Sequence, residues 1–188
     1  MPNLYIIGGA NGSGKTTASM SLLPNFLDCL EYVNADAIAA ALSPFNQQSV
    51  AIAAGRIMLE RLQILSNSGT DFAFETTLAA RSLAAFLRSC KTKDYTINLI
   101  YFWLRSPELA VARVARRVAS GGHSIPEDVI RRRYDRGRKN LLSLYLPLCD
   151  GWIVYDSSEN HPILVAQKII YQQQPIIHNS IIWNQISE

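Results

Sequence analysis

The chain has 188 residues, of which 48% are hydrophobic, and this is enough apolar surface for one compact domain. It contains no long apolar run and no basic leader, so we expect neither a transmembrane helix nor a signal peptide, and hence a cytoplasmic protein. The net charge of +3 is unevenly spread, because residues 105–139 carry ten Arg or Lys against four acids. The three cysteines and three histidines are scattered along the chain, which argues against a disulfide framework or a zinc site.

Short apolar runs and helical stretches alternate along the chain, which predicts an α/β fold with helices on both faces of a mainly parallel sheet. The predicted strands are Leu4 to Ile7, Tyr32-Val33, Phe72 to Phe74, Ile97 to Leu104 and Trp152 to Tyr155. The predicted helices include Val50 to Ser66, Ala79 to Ser89, Pro107 to Ala119, Pro126 to Leu144 and Pro162 to Gln172. We expect one domain over residues 1–175, followed by a C-terminal tail over residues 176–188.

A glycine-rich loop follows the first predicted strand directly. Its glycines allow the backbone N–H groups to surround phosphate, and the helix that begins near Lys15 adds its positive N-terminal end. Lys15 is expected to reach the β and γ phosphates of ATP, and the Thr16 hydroxyl to bind Mg²⁺. The predicted nucleotide-binding residues are Gly9-Ala10-Asn11-Gly12-Ser13-Gly14-Lys15-Thr16-Thr17.

Two carboxylates close two later strands. Asp36 follows the second predicted strand and Glu75 the third. Ligands of α/β sheets bind at the carboxyl ends of strands, so both acids are expected beside the phosphate loop. Asp36 could alternatively be the N-cap of a helix over Ala37 to Leu42.

These motifs in this order resemble the zeta-toxin family of P-loop kinases over roughly residues 3 to 158. The resemblance rests on Gly-Gly-Ala-Asn-Gly-Ser-Gly-Lys-Thr-Thr at 8–17, Asn-Ala-Asp at 34–36, Phe-Glu-Thr-Thr at 74–77 and Arg-Arg-Val-Ala-Ser-Gly-Gly-His at 116–123. It implies a three-layer P-loop NTPase sandwich with a mainly parallel sheet of about five strands, similar to adenylate kinase. It also implies phosphorylation of the 3′-hydroxyl of the sugar in UDP-N-acetylglucosamine, and for some members an antitoxin partner.

The resemblance also implies roles for single residues. Lys15 matches the phosphate-loop lysine, and Asp36 matches the catalytic aspartate that orients and deprotonates the acceptor hydroxyl. Glu75 and Thr77 match the strand-end positions that look like substrate or metal contacts. Together with the Thr16 hydroxyl of the phosphate loop, Glu75 forms the predicted metal site, where it could hold Mg²⁺ through water; its role is left open. Arg81 could reach an anionic substrate or could equally be a solvated helix residue.

Two arginine-rich helices separated by Gly121 and Gly122 resemble the lid of a small-molecule kinase, placed at about residues 113–136. Arg117 and Arg132 are the predicted catalytic arginines, with a choice within Arg131-Arg132-Arg133 that is open by one position. His123 is expected outside the catalytic set. By analogy with adenylate kinases, Asp156-Ser157-Ser158 could line the adenine pocket.

The predicted activity is therefore an ATP-dependent kinase of a small hydroxylated substrate, most simply a nucleotide sugar. A kinase of a nucleoside, another metabolite or a polynucleotide end is the alternative. Nucleic acid is disfavoured because Tyr134 is the only stacking aromatic among the arginines. A regulatory P-loop NTPase acting through a protein partner is a further alternative, although a water-orienting residue and a metal-binding aspartate are not obvious.

Overall fold

Seven strands form a single sheet in the computed structural model, which describes residues 1–188. The strands run in the spatial order β2-β3-β1-β4-β5-β6-β7. The first five in this order are parallel, whereas β6 and β7 join antiparallel at the outer side of β5. Their bounds are Asn3–Gly9 (β1), Tyr32–Val33 (β2), Phe72–Thr76 (β3), Thr96–Trp103 (β4), Gly151–Asp156 (β5), Ile163–Lys168 (β6) and Ile176–Ile177 (β7).

Seven α-helices connect and cover the strands. They are Lys15–Phe26 (α1), Ala35–Leu42 (α2), Ala51–Ser68 (α3), Ser82–Lys91 (α4), Pro107–Ala119 (α5), Glu127–Asn140 (α6) and Ser180–Ser187 (α7). A single π-helical segment, Leu141–Tyr145, continues directly from α6. The α/β class and the five predicted parallel strands are confirmed, and no helix is long and apolar enough to cross a bilayer.

The predicted helix over Pro162 to Gln172 is wrong, because this segment forms β6. Its central residues Val165 and Ala166 are fully buried, and Ala166 pairs with Val154 of β5. Pairing with β5 gives the backbone groups of both strands their partners, and this long-range gain outweighs the local preference for a helix after proline. The sheet therefore has seven strands rather than about five.

Residues 176–188, which were predicted to form a tail, continue the same sheet. The two residues of β7 pair with β6, and α7 folds back over the sheet. In α7, Ile186 is fully buried, and the ring of Trp183 stacks on Trp152 of β5 with centroids 5.6 Å apart. These contacts attach the C-terminal residues to the antiparallel side of the sheet.

The core lies on both faces of the sheet, and a smaller apolar cluster joins α5 to α6. In that cluster Val114 and Ile130 are buried, and the Tyr134 hydroxyl donates to the Leu104 carbonyl oxygen at 2.6 Å. α5 and α6 are thereby packed above the carboxyl end of β4. Since β1, β2 and β3 end at this same edge, the phosphate loop, Asp36 and Glu75 lie beneath the two helices.

Candidate active site

The phosphate loop has a backbone conformation that only glycine adopts easily. Gly9 has a φ of 146°, and a Cβ on it would lie 2.4 Å from the Phe102 carbonyl oxygen. Gly12 and Gly14 also have positive φ, and α1 begins immediately after Gly14. The loop therefore turns tightly between β1 and α1 and places its backbone at the N-terminus of a helix, where anions are stabilised.

Lys15 is buried within this loop. Its side chain is only 5% exposed; Nζ donates to the Ala10 carbonyl oxygen at 2.9 Å and lies 3.6 Å from Glu75 Oε1. Burial lowers the pKa of Lys15, while the negative charges of Glu75 and Asp36 oppose that shift. A cation held here can neutralise phosphate charge in a site that largely excludes water.

Glu75 is the centre of a hydrogen-bond network at the ends of three strands. Its Oε2 accepts from Thr16 Oγ1 at 2.8 Å, from the Tyr32 hydroxyl at 2.6 Å and from Asn34 Nδ2 at 3.0 Å. Burial, and then the charge of Glu75, raise the pKa of Tyr32, so its hydroxyl stays protonated and donates. These donors fix the Glu75 carboxylate beside Lys15 and Thr16.

The pair of Thr16 and Glu75 fits the metal site expected from sequence. A hydroxyl and a carboxylate are hard oxygen donors of the kind Mg²⁺ prefers, and Mg²⁺ at phosphate sites takes only one or two protein ligands. No cluster of three or more His, Cys, Asp or Glu is present that would form an all-protein metal cage. The donor set therefore suits a magnesium ion that is held mainly by phosphate and water.

Asp36 is free for chemistry because another residue caps its helix. The Asn34 side chain accepts from the Asp36 backbone N–H at 2.8 Å and from Ala37 N–H at 3.3 Å, so the interpretation of Asp36 as N-cap is wrong. The Asp36 side chain is 47% exposed and lines a cavity of about 430 Å³ together with Lys15. A half-exposed carboxylate facing an open cavity can accept a proton from a bound hydroxyl.

The cavity lies between the phosphate loop, α2, α3 and the connection after β3. Thr77 lines it, whereas Arg81 does not: Arg81 is exposed at the start of α4. Arg56 of α3 lines it instead, with no acidic partner, and sequence analysis missed this residue. The sequence carried only the helical spacing, by which Arg56 shares a face of α3 with Ile52 and Gly55. Apolar side chains complete the wall: Ala51, Ile52, Met58, Leu59 and Leu83.

The loop between α5 and α6 reaches Asp36. His123 Nε2 lies 3.7 Å from Asp36 Oδ2, and Arg117 donates to the His123 carbonyl oxygen at 3.2 Å. Burial lowers the pKa of His123, and the charge of Asp36 opposes this only in part. His123, which was expected outside the catalytic set, therefore lies in contact with the predicted catalytic carboxylate.

The three consecutive arginines of α6 differ in what they contact. Arg131 is paired with Glu108 and Glu127, and Arg132 is half exposed, lies 3.7 Å from Asp128 and lines only a neighbouring cavity of about 270 Å³. Arg133 has no acidic partner and lines both cavities, so it shares the larger one with Lys15 and Asp36. Within the run that sequence left open, the geometry favours Arg133.

The loop after β5 lies against the phosphate loop. Ser157 Oγ donates to the Ser13 carbonyl oxygen at 2.9 Å, and Arg113 donates to the Ser158 carbonyl oxygen at 2.9 Å. Asp156 is held in turn by the N–H and hydroxyl groups of Ser158. The structure thus places Asp156-Ser157-Ser158 next to the phosphate loop and beneath α5.

Solved structures share this architecture. A complex of AvrRxo1-ORF1 with AvrRxo1-ORF2 and ATP contains a chain that is 16% identical, with a TM-score of 0.81 over 100% of this chain and 64% of that one. This chain therefore spans less than two thirds of that protein. The PezAT toxin–antitoxin system of Streptococcus pneumoniae contains a second, with 16% identity and a TM-score of 0.68 over 98% of this chain and 78% of that one.

Sequence comparison identifies the family, whereas the solved structures show only the shared fold. An uncharacterized protein of Haemophilus influenzae is 33% identical over 128 residues, which are 67% of this chain and 88% of that protein. The family model described as Zeta toxin matches residues 1–160. This match includes the phosphate loop, Asp36, Glu75, α5 and α6, and it establishes that the chain belongs to the zeta-toxin family.

Proposed function

We propose that this protein is an ATP-dependent kinase that phosphorylates a hydroxyl group of a small acceptor, with a nucleotide sugar such as UDP-N-acetylglucosamine as the acceptor. One observation carries the proposal: Lys15, Asp36 and Arg133 line the same cavity of about 430 Å³. A phosphate-binding cation, a carboxylate and a second cation around one open space are what transfer to a hydroxyl requires.

The donor is ATP with Mg²⁺. Lys15 and the backbone of the phosphate loop bind its phosphates, and Thr16 with Glu75 would hold the metal, which neutralises phosphate charge when bound. Tyr32 and Asn34 keep the Glu75 carboxylate in place through their hydrogen bonds. Membership of the zeta-toxin family and the ATP complex of the AvrRxo1 relative support this choice of donor.

Asp36 is the general base. Its carboxylate accepts the proton of the acceptor hydroxyl while that oxygen bonds to the γ phosphorus, and the bond from phosphorus to the β–γ bridging oxygen breaks to release ADP. Arg117 and Arg133 stabilise the negative charge of the group in transfer. His123, beside Asp36, helps to orient the carboxylate.

The acceptor occupies the cavity between α3 and the connection after β3. Its wall combines apolar side chains with Arg56 and Arg133, neither of which has an acidic partner. This composition suits a molecule with a flat or apolar part and an anionic part, as a nucleotide sugar has. The family resemblance supports the same class.

We further propose that an antitoxin protein binds this chain. Two similar structures come from two-protein assemblies, the AvrRxo1-ORF1:AvrRxo1-ORF2 complex and the PezAT toxin–antitoxin system. Co-expression of this chain with the product of a neighbouring gene, followed by co-purification, tests for such a partner. Growth arrest when the chain is expressed alone, and relief by that product, are the expected results.

The kinase assay uses γ-labelled ATP, Mg²⁺ and a panel of UDP-sugars. Asp36→Asn keeps the shape of the side chain but removes the base, so we expect kcat to fall by about a thousandfold or more while ATP affinity stays within twofold. Asp94→Asn is the matched control, because Asp94 is exposed in a turn before β4 and lies outside the cavity.

Three outcomes would contradict the proposal at different levels. Label on an oligonucleotide end or on another metabolite, but on no UDP-sugar, would exclude the nucleotide-sugar acceptor. Hydrolysis of ATP without transfer to any acceptor would favour a regulatory NTPase. Loss of ATP binding in Asp36→Asn would mean that Asp36 maintains the donor site rather than the acceptor.

A further inference from the structure

The connection between β3 and α4 is held, through consecutive backbone carbonyl groups, by α6 and the π-helical segment that follows it. We name residues 77–81 the acceptor loop, since Thr77, Ala79 and Ala80 line the large cavity. Asn140 Nδ2 donates to the Leu78 carbonyl oxygen at 2.8 Å and to that of Ala79 at 3.3 Å. The Tyr145 hydroxyl donates to the Ala80 carbonyl oxygen. Three successive carbonyl groups of the loop therefore have donors from a single segment of chain.

The fourth carbonyl group of this loop touches the α6 backbone itself. A Cβ on Gly137 would lie 2.3 Å from the Thr77 carbonyl oxygen. No side chain larger than hydrogen fits this contact without movement of the helix or the loop. Gly137 is buried in the last turn of α6, which continues into the π-helical segment. Glycine within a helix costs about 1 kcal/mol of stability relative to alanine, so the close approach explains why it occurs there.

The loop needs such support because its own conformation is unfavourable. Leu78 has a φ of 58°, in the left-handed region that a leucine rarely adopts, yet its side chain is fully buried. Its N–H donates to Thr76 Oγ1 at 3.1 Å. A residue held in this conformation persists only when its surroundings fix it. The core that buries the Leu78 side chain and the hydrogen bond from Asn140 of α6 to its carbonyl oxygen do so.

The same face of α6 carries an arginine into the cavity. Arg133, Gly137 and Asn140 are spaced by four and three residues and so lie along one face of the helix. Arg133 lines the large cavity with Thr77, Ala79 and Ala80, while Gly137 and Asn140 contact the acceptor loop. One rigid element thus sets the distance between a phosphate-binding cation and the wall of the acceptor site.

We infer that α6 from Arg133 onward is a fixed strut of the acceptor site, and that Asn140 is its positioning residue. The inference rests on the proposed function only in treating the cavity as the acceptor site; the contacts of α6 do not depend on that function. Because α6 is fixed from Arg133 onward, motion of the lid is limited to the end of α5, residues 120–126 and the first turn of α6. Asn140 acts through the acceptor loop and does not itself line the cavity.

The test compares Asn140→Ala with Asn184→Ala, an exposed asparagine of α7 that is outside every contact described above. Kinetics use ATP with UDP-N-acetylglucosamine as the acceptor probe. We expect Asn140→Ala to raise the acceptor KM about tenfold and to leave the ATP KM within twofold, with no change in Asn184→Ala. Equal changes in both KM values, or no change in either, would overturn the positioning role.

A second measurement does not depend on activity. Amide hydrogen exchange by NMR compares Leu78, in the acceptor loop, with Leu99 in the central strand β4 as a reporter of global opening. Asn140→Ala should speed exchange at Leu78 at least tenfold relative to Leu99. An unchanged ratio would overturn the strut even if the kinase activity is confirmed, and a changed ratio would support it even if UDP-N-acetylglucosamine is not the acceptor.

A glycine pair gives a third measurement that covers the case in which Asn140→Ala does not fold. Gly137→Ala should lower Tm by about 3 °C or more because its Cβ meets the Thr77 carbonyl. Gly55→Ala, in α3 with no atom within 4 Å of the added Cβ, should raise Tm through its better helix propensity. A rise in Tm for both variants would overturn the close contact between α6 and the loop.

Discussion

The phosphate loop and the lid loop both contain glycines, but the two regions differ in how they are built. In the phosphate loop, over residues 9–14, most residues are buried and Gly9 is pressed against the β4 backbone. In the loop between α5 and α6, over residues 120–124, which we call the lid loop, residues are exposed or half-buried. A Cβ on Gly121 would meet nothing within 4 Å, although one on Gly122 would lie 2.6 Å from the Arg117 side chain. The phosphate loop is therefore fixed by its packing, whereas the tip of the lid loop at Gly121 has the room to move that a lid would require.

The largest expected difference between the two loops comes from replacing one glycine of each by alanine. Gly9→Ala should lower the free energy of unfolding by about 3 kcal/mol and abolish ATP binding, because both the positive φ and the space forbid a Cβ. Gly121→Ala meets only the conformational cost of its φ of 89°, about 1 kcal/mol, and should keep ATP affinity. Denaturant unfolding and calorimetric titration with ATP measure the two; equal losses would erase the contrast between the loops.

A smaller effect is expected from the arginines of α5 and α6. Arg117→Ala and Arg133→Ala should each lower kcat/KM about a hundredfold, while unfolding stability changes little. Arg133 lines the cavity with Asp36, and Arg117 is hydrogen-bonded to His123, which lies beside Asp36. Arg132→Ala should lower kcat/KM less than tenfold, because Arg132 is half exposed near Asp128. Steady-state kinetics at saturating ATP compare the variants. A larger loss of kcat/KM in Arg132→Ala than in Arg133→Ala would favour Arg132, the arginine predicted from sequence.

The smallest expected effect is a pH dependence at the contact between the lid loop and Asp36. The pKa of His123 lies below its ordinary 6.5 in the folded protein, mainly because of burial, so the unfolded chain binds a proton more readily. The contribution of neutral, buried His123 to the free energy of unfolding is therefore complete above pH 6.5, and it is lost as the pH falls through the lower pKa that His123 has in the folded protein. His123→Gln should flatten the dependence of unfolding free energy on pH below 6.5; parallel curves would contradict the assignment.

Most of the parallel sheet could be predicted from sequence because its signals are local. The strands β1, β3 and β4 are short apolar runs, and Ser106 with Pro107 marks the start of α5. β6 could not be predicted, because Pro162 followed by Ile163 to Lys168 also fits the first turns of a helix. Only its pairing with β5, a contact distant in sequence, decides between the two.

The candidate site likewise has a part that sequence identified and a part that depends on contacts distant in sequence. The resemblance and the strand ends identified Lys15, Asp36 and Glu75 as candidates, and the structure brings them together. The hydrogen bonds from Tyr32 and Asn34 to Glu75 depend on β2 pairing with β3, which no local pattern specifies. Gly137 carried a readable signal, a lone glycine inside a helix, but its neighbour in space, Thr77, lies 60 residues away.

The two edges of the sheet bear on how a protein partner could bind. Both edge strands, β2 and β7, consist of only two residues. Partners that bind by adding a strand need a longer run of free backbone N–H and C=O groups, and such short edges also discourage aggregation between sheets. An antitoxin would therefore recognise this chain through side chains of helices and loops, and point substitutions on those surfaces would suffice to separate the pair.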